Sequence, residues 1–146
     1  MKVMYQIPCV STVKNNGDRA EENFGYAITG KPHHKDSVAF DRDSDVMFNG
    51  IGYSVKSNHF TLASGNLLKG DTLTEKLDHY FSIVHSDFAV YVDTENNAYI
   101  MDMVEFRIFL ETFATLERES QKNGGMLKVR CRAETKKMRA WLASQV

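Results

Sequence analysis

Apolar residues recur along the chain with two different periods, and the period indicates which segments are helices and which are strands. A spacing of three or four residues predicts helices over 20–29, 72–84, 104–118 and 133–145. Alternating or short apolar runs predict strands over 36–40, 45–49, 51–57, 88–94, 97–104 and 126–132. One more strand is expected before the first helix. Helices and strands mixed along 146 residues predict a single α/β domain over residues 1–146.

Turn residues indicate where two of these elements end. Asp18 or Asn16 is expected to cap the first helix, and Gly30 to end it. Asn49 and Gly50 stand between two predicted strands, and this pair tolerates positive φ at both positions of a two-residue turn. The sequence therefore predicts a tight hairpin there.

That hairpin carries an acid and a lysine at positions where apolar residues would be ordinary. Asp45 begins its first strand, and Ser54, Val55 and Lys56 follow one another in its second strand. Ser54 and Lys56 are two residues apart, so they share one face of the strand while Val55 points to the core. Cleavage of a phosphodiester bond with a metal ion needs two or three carboxylates to hold the ion, and it also uses a nearby cation to orient the attacking water or to stabilise the developing charge. The hairpin therefore predicts a candidate active site.

The order of these residues resembles the PD-(D/E)XK nuclease superfamily, which has the restriction-endonuclease-like fold. Glu21 on the first helix, Asp45, the hairpin and Ser54-Val55-Lys56 carry the resemblance over about the first two thirds of the chain. It implies a central mixed sheet flanked by helices, with an αβββαβ core and C-terminal strands and helices. It also implies a Mg²⁺-dependent or Mn²⁺-dependent DNA nuclease.

The resemblance also implies a role for each of these residues. Asp45 and Glu21 would bind the metal ion, with the carbonyl of Val55 as a further ligand. Lys56 would position the attacking hydroxide or stabilise the transition state. Ser54 would contact a water molecule or a phosphate.

One departure from the family pattern affects the metal site. Ser54 stands where the family usually has Glu, Asp or Gln, and a hydroxyl is a poor ligand for Mg²⁺. Some restriction enzymes of this fold carry Ser-x-Lys and take the missing carboxylate from the following helix. Asp71 or Glu75, at the start of that helix, is the corresponding candidate here. Without either, the domain is expected to bind nucleic acid or a protein partner without cutting.

Charge distribution adds a possible binding surface. The net charge is −1, but residues 126–146 contain six basic residues and one acid, a local charge of +5. This segment predicts an anionic partner or, as the alternative, only a solvated helix face. The candidates for contacts with DNA phosphates are Arg130, Arg132, Lys136 and Lys137.

Two cysteines without CxxC spacing predict neither a zinc site nor a disulfide framework and favour a reducing, cytoplasmic location. No apolar segment approaches 18 residues, so no membrane span is predicted. Cutting both DNA strands would require a homodimer.

Other interpretations of the same residues stay open. Lys56 can lie along a sheet edge with its charge in water, and the aspartates at 41, 43 and 45 can be ordinary turn residues. His33, His34 and His59 give a fainter indication of a histidine metal site. A small α+β interaction protein unrelated to nucleases is the third class of function.

Overall fold

The structure, a computed structural model, describes residues 1–31, 44–63 and 67–146, except for the side chain of Asn123. The strand predicted over 36–40 lies outside the described residues. The described part contains four α-helices: α1 Asn16–Thr29, α2 Leu73–Ile83, α3 Met103–Phe113 and α4 Lys136–Gln145. Its strands are β1 Lys2–Met4, β2 Val46–Phe48, β3 Ile51–Ser57, β4 Phe60–Thr61, β5 Phe88–Val92, β6 Ala98–Asp102, β7 Ala114–Arg118 and β8 Leu127–Cys131. The predicted α/β class is confirmed.

The strands form two sheets. The larger is mixed and has the order β1-β6-β5-β3-β2. Strands β3 and β5 are parallel, because α2 carries the chain from the end of one back to the start of the other, and the remaining pairs are antiparallel. The smaller sheet has the order β4-β8-β7 and is antiparallel.

Apolar side chains on the two faces of the larger sheet build two cores. Helix α1 covers one face, where Phe24 packs with Val46, Val55, Val90 and neighbouring apolar residues. The other face packs against α2, α3, α4 and the smaller sheet, and it forms the larger core. Since neighbouring residues of a strand point to opposite faces, Ser54 and Lys56 lie on the face away from α1.

The structure confirms the predicted hairpin. The predicted cap of helix α1 is wrong, because the observed cap lies one residue before Asn16 and three before Asp18. Asn49 and Gly50 have φ of 53° and 77°, and Phe48 pairs with Ile51 around them. Helix α1 begins earlier than predicted because Asn15 caps it, its side-chain oxygen accepting from the N–H of Asp18 at 3.1 Å.

The helix predicted over 104–118 is wrong in its last five residues. Helix α3 ends at Phe113, and Ala114–Arg118 is strand β7. Its alternating sequence, with Ala114 buried and Thr115 exposed, suits a strand with one covered face. The segment forms a strand and not a helix because it pairs with β8 along its whole length.

At Gly52 the hairpin leaves no room for a larger residue. A Cβ built there would lie 2.2 Å from Ser44 Oγ and 3.1 Å from Met47 Sδ. We expect Gly52→Ala to lower the free energy of unfolding by about 1–3 kcal/mol, as overpacking does in a buried site. Chemical denaturation measures the loss. The double variant Ser44→Gly with Gly52→Ala should recover part of it, and no recovery would contradict the steric explanation.

Candidate active site

A backbone contact joins Asp45 to the Ser-x-Lys segment. The β2–β3 ladder ends at Asp45, whose N–H donates to the carbonyl of Tyr53 at 2.8 Å. The Asp45 carboxylate then accepts from the N–H of Val55, also at 2.8 Å. In a strand the N–H and C=O of one residue point to the same side, so the Val55 carbonyl faces the same edge as this carboxylate.

The hairpin is fastened near its turn to the start of β5. The Asp87 carboxylate accepts from the N–H of Gly52 at 2.8 Å, and the Asp87 N–H donates to the Gly52 carbonyl at 2.9 Å. The hydroxyls of Ser44 and Ser86, both buried, lie 2.9 Å apart. Burial and then the charge of Asp87 raise the pKa of Tyr53, so its phenol stays protonated. These contacts fix the position of Asp45.

Ser54 and Lys56 have different environments. Ser54 is buried, with 3% of its surface exposed. Lys56 is half-buried, and its Nζ lies 5.8 Å from the centroid of the Phe60 ring. It lines a groove of about 370 Å³ formed by residues 15–17 and 55–61, which also contains His59. We call this the Lys56 groove.

Two contacts show where Glu21 lies along the sheet. The Ser57 hydroxyl donates to the carbonyl of Asn16 at 3.2 Å, and the rings of Phe24 and Tyr53 are 5.4 Å apart. Helix α1 therefore runs antiparallel to β3. From Asn16 to Phe24 the helix rises about 12 Å, and from Ser57 to Tyr53 the strand spans about 13 Å, so the two elements run side by side at nearly the same rate. Glu21 therefore lies level with the middle of β3, where Asp45 meets Val55.

The helical period shows which flank of α1 carries Glu21. At about 100° per residue, Glu21 and Asn23 are about 160° apart around the helix axis. Asn23 lines a cavity together with Val92 of β5, so it is on the β5 side of the helix. Glu21 is consequently on the β2 side, where Asp45 lies.

Asp71 and Glu75 lie at the other end of the crossover. Glu75 is exposed near the start of α2 and accepts from the Thr72 hydroxyl at 3.0 Å, within the helix cap. The far end of α2, about 12 Å away by helical rise, leads to Ser86, whose hydroxyl lies 2.9 Å from that of Ser44, the neighbour of Asp45. Glu75 is thus engaged in the cap of α2, and Glu21 is the candidate that lies level with Asp45 along the sheet. Within the described ranges, no group of three or more His, Cys, Asp or Glu side chains forms a metal cluster.

The basic C-terminal segment is partly neutralised by acids. Arg130 pairs with Glu119 at 3.5 Å, and Arg132 pairs with Glu117, holding the pKa of Glu117 below its usual value. Lys136 and Lys137 are exposed in the first turn of α4 and form no ion pair within the described part of the chain. Of the four predicted phosphate contacts, the two lysines are therefore the more available.

Sequence reasoning missed a cavity of about 500 Å³ that has several asparagines in its lining and adjoins the Lys56 groove. It lies at the carboxyl ends of β3 and β5, against the first turns of α1, and is lined by Asn16, Asn23, Asn58, Asn96 and other residues. The only sequence signal is a surplus of asparagines in turns, two of which, Asn58 and Asn96, have φ of 51° and 62°. Asparagine is common in such turns, so only the fold identifies the cavity.

Comparisons of the chain with family models, curated proteins and solved structures find no match. In the part of the chain that the structure describes, no helix has the length and apolar character needed to cross a membrane.

Proposed function

We propose that this chain is a metal-dependent nuclease that hydrolyses phosphodiester bonds in DNA. The observation that carries the proposal is the 2.8 Å contact between the Asp45 carboxylate and the N–H of Val55, the central residue of Ser54-Val55-Lys56. It sets an acid against a lysine-bearing strand, a combination that metal-assisted phosphodiester cleavage can use.

The topology gives further support to a restriction-endonuclease-like fold. In the larger sheet and its helices, the order is α1, the antiparallel β2–β3 hairpin, the crossover helix α2 and β5, which is parallel to β3; the short strand β4, between β3 and α2, belongs to the smaller sheet. This is the order that the αβββαβ core implies, apart from one strand, whose candidate segment at 36–40 is not described.

The residues at the hairpin suit Mg²⁺ or Mn²⁺. Asp45, Glu21 and the Val55 carbonyl would hold the ion, and Mg²⁺ in phosphoryl-transfer sites commonly has one or two carboxylates plus substrate oxygens as ligands. When bound, the ion supplies Lewis-acid activation of the phosphate and a more acidic water. The N–H of Val55 orients the Asp45 carboxylate toward this position, as outer hydrogen bonds do for metal ligands.

Lys56 provides the positive charge in this proposal. Its ammonium group would bind a phosphate oxygen in the Lys56 groove and offset the negative charge that grows in the transition state. Ser54 is buried and supports the strand more than it contacts substrate. The proposed enzyme acts in the cytoplasm, where its two free cysteines would stay reduced, and it needs a second copy to cut both strands.

The test is incubation of the purified protein with supercoiled plasmid and with single-stranded DNA, in Mg²⁺, Mn²⁺ or chelator. Conversion to nicked or linear DNA with metal, and none with chelator, is the expected result. The second candidate, a nucleic-acid-binding module without activity, is favoured by the buried serine at the usual acid position. Metal-independent DNA binding with no cleavage in either ion would support that candidate.

Lys56→Met should lower the cleavage rate about 10²–10³-fold, the usual effect of removing one charged group that stabilises a transition state. Metal affinity, measured by titration calorimetry with Mn²⁺, should stay within about twofold because lysine is not a metal ligand. Lys69→Met, an exposed lysine outside the groove, is the control. A loss of metal binding in Lys56→Met would contradict the assigned role.

The double variant Lys136→Gln with Lys137→Gln should weaken DNA binding equally for unrelated sequences. The slope of log affinity against log salt should fall by about 0.9 for each phosphate of duplex DNA that the protein no longer neutralises. Arg130→Gln with Arg132→Gln should have a smaller effect because those charges already pair with glutamates. Affinities unchanged over several salt concentrations would show that the lysines are only a solvated face.

A further inference from the structure

The cavity at the ends of β3 and β5 has the size and place of a ligand site. Its volume of about 500 Å³ lies within the range of about 300–1,000 Å³ typical of small-molecule sites. In sheets with parallel strands, ligands bind outside the carboxyl ends of those strands. Here the ends of the parallel pair, at Ser57 and Val92, form its floor together with α1.

Asn23 gives the cavity a buried hydrogen-bond donor. Its Oδ1 accepts from the N–H groups of Val10 and Ser11, both at 2.9 Å, which fixes the orientation of the amide. Its Nδ2 must therefore face away from that loop. Asn23 is only 2% exposed, and within the described residues its Nδ2 donates to no acceptor. Buried donors are almost always satisfied, so this one indicates a missing acceptor.

The charged residues of the cavity already have partners. Arg19 donates to the carbonyls of Val13 and Lys14, both at 3.0 Å. The Asp93 carboxylate accepts from the N–H groups of Glu95 and Asn97 at 2.9 and 2.8 Å. The lining that remains for a ligand is therefore made of neutral amides, hydroxyls and apolar groups, which suits a partly apolar ligand with uncharged polar edges.

Asn58 and Asn96 supply the other amides. The carbonyl of Asn58 accepts from the Tyr91 hydroxyl at 3.1 Å, which fixes the backbone at this turn. Burial, followed by nearby acidic groups, raises the pKa of Tyr91, so this donor stays protonated. The Asn96 amide nitrogen contacts Cys9 Sγ at 2.8 Å, which leaves its oxygen for a ligand. The cavity thus offers both donors and acceptors.

We propose that this cavity binds a nucleobase, with Asn23 Nδ2 donating to a carbonyl oxygen or ring nitrogen of the base. Asparagine amides pair with the edges of bases, and enzymes that act on nucleic acids hold unstacked bases in such pockets. The cavity shares Asn16, Ser57 and Asn58 with the Lys56 groove, so a base here would place its phosphate near the lysine. That a DNA strand is the source of the base rests on the proposed nuclease function.

The test begins with the side-chain amide signal of Asn23 in NMR spectra of the full chain. Titration with the four 2′-deoxynucleoside 5′-monophosphates should give a saturable shift of this signal with at least one of them. Deoxyribose 5-phosphate, which lacks a base, should give none. The absence of a shift with all four nucleotides, or an equal shift with the sugar phosphate, would overturn the proposal.

Two variants test the assigned donor. Asn23→Asp keeps an oxygen for Val10 and Ser11 but replaces the donor with an acceptor and adds a negative charge, so nucleotide affinity should fall at least about tenfold, as expected when a buried hydrogen bond is removed. Asn49→Asp, the same change in the hairpin turn, should have no effect. Asn58→Gly removes an amide while suiting the positive φ, and it should also weaken binding. Unchanged affinity in both Asn23→Asp and Asn58→Gly would overturn the site.

A short single-stranded oligonucleotide and the same oligonucleotide with one abasic position identify the source of the base. Stronger binding of the intact strand, abolished in Asn23→Asp, supports the base of a DNA strand as the occupant. Equal binding of both strands, with mononucleotides still shifting Asn23, overturns the DNA source and leaves a free-nucleotide site. Plasmid cleavage is measured separately, so failure of the nuclease proposal is distinguishable from failure of this one.

Discussion

Asp45→Asn is expected to lower the rate of metal-dependent DNA cleavage about 10³-fold, the equivalent of about 4 kcal/mol in the barrier. The reason is the loss of the anionic ligand for the metal ion. The substituted amide still presents an oxygen to the N–H of Val55, which the carboxylate accepts at 2.8 Å, so the hairpin should be retained. Single-turnover cleavage of plasmid in Mg²⁺, with thermal unfolding as the check on folding, measures both effects.

Asp87→Asn is the matched control for this change. Asp87 also accepts an N–H from β3, that of Gly52 at 2.8 Å, but it lies near the turn of the hairpin and not beside Ser54-Val55-Lys56. Both variants lose one charge and keep one hydrogen-bond acceptor. Equal cleavage by Asp45→Asn and the unchanged protein would remove Asp45 from the active site. Equal losses in both variants would mean that only the hairpin geometry matters.

The hairpin could be predicted from sequence because its signals are local. Asn49-Gly50 permits positive φ at both turn positions, and the period of two then sets Ser54 and Lys56 on one face. The contact between Asp45 and Val55 follows from the same register. A short segment with a strong turn signal carries its own structural information.

Elements that depend on distant partners could not be predicted in this way. Residues 114–118 fit a helical and an alternating period, and the pairing with β8 decides for a strand. The +5 charge of residues 126–146 suggests a basic surface, but Arg130 and Arg132 face glutamates of the neighbouring chain segment, which the count of charges does not reveal. The cavity around Asn23 likewise needs α1, β3 and β5 to be assembled.

Choosing between the candidates for a second acid in the proposed metal site also required the fold. Sequence spacing allows Glu21, Asp71 or Glu75. The direction of α1 against β3 places Glu21 level with the middle of β3, on the β2 side of the helix. Glu75 instead belongs to the cap of α2, with the Thr72 hydroxyl donating to its carboxylate at 3.0 Å.

Glu21→Gln is therefore expected to lower metal-dependent cleavage about 10²-fold or more, by weakening the hold on the ion. Because one anionic ligand is removed and Asp45 remains, higher Mn²⁺ concentrations should restore part of the rate. A metal-concentration series of the cleavage rate, run for both Mg²⁺ and Mn²⁺, measures this shift.

Glu75→Gln makes the same chemical change on another helix and serves as the control. Its amide oxygen can still accept from Thr72, so both stability and cleavage should stay within about twofold of the unchanged protein. Asp71→Asn, at an exposed position before the same helix, should behave likewise. If Glu21→Gln cuts normally while Glu75→Gln or Asp71→Asn does not, the missing carboxylate comes from the second helix. The site would then follow the Ser-x-Lys variant of the family, with α2 and not α1 completing the metal-binding group around Asp45.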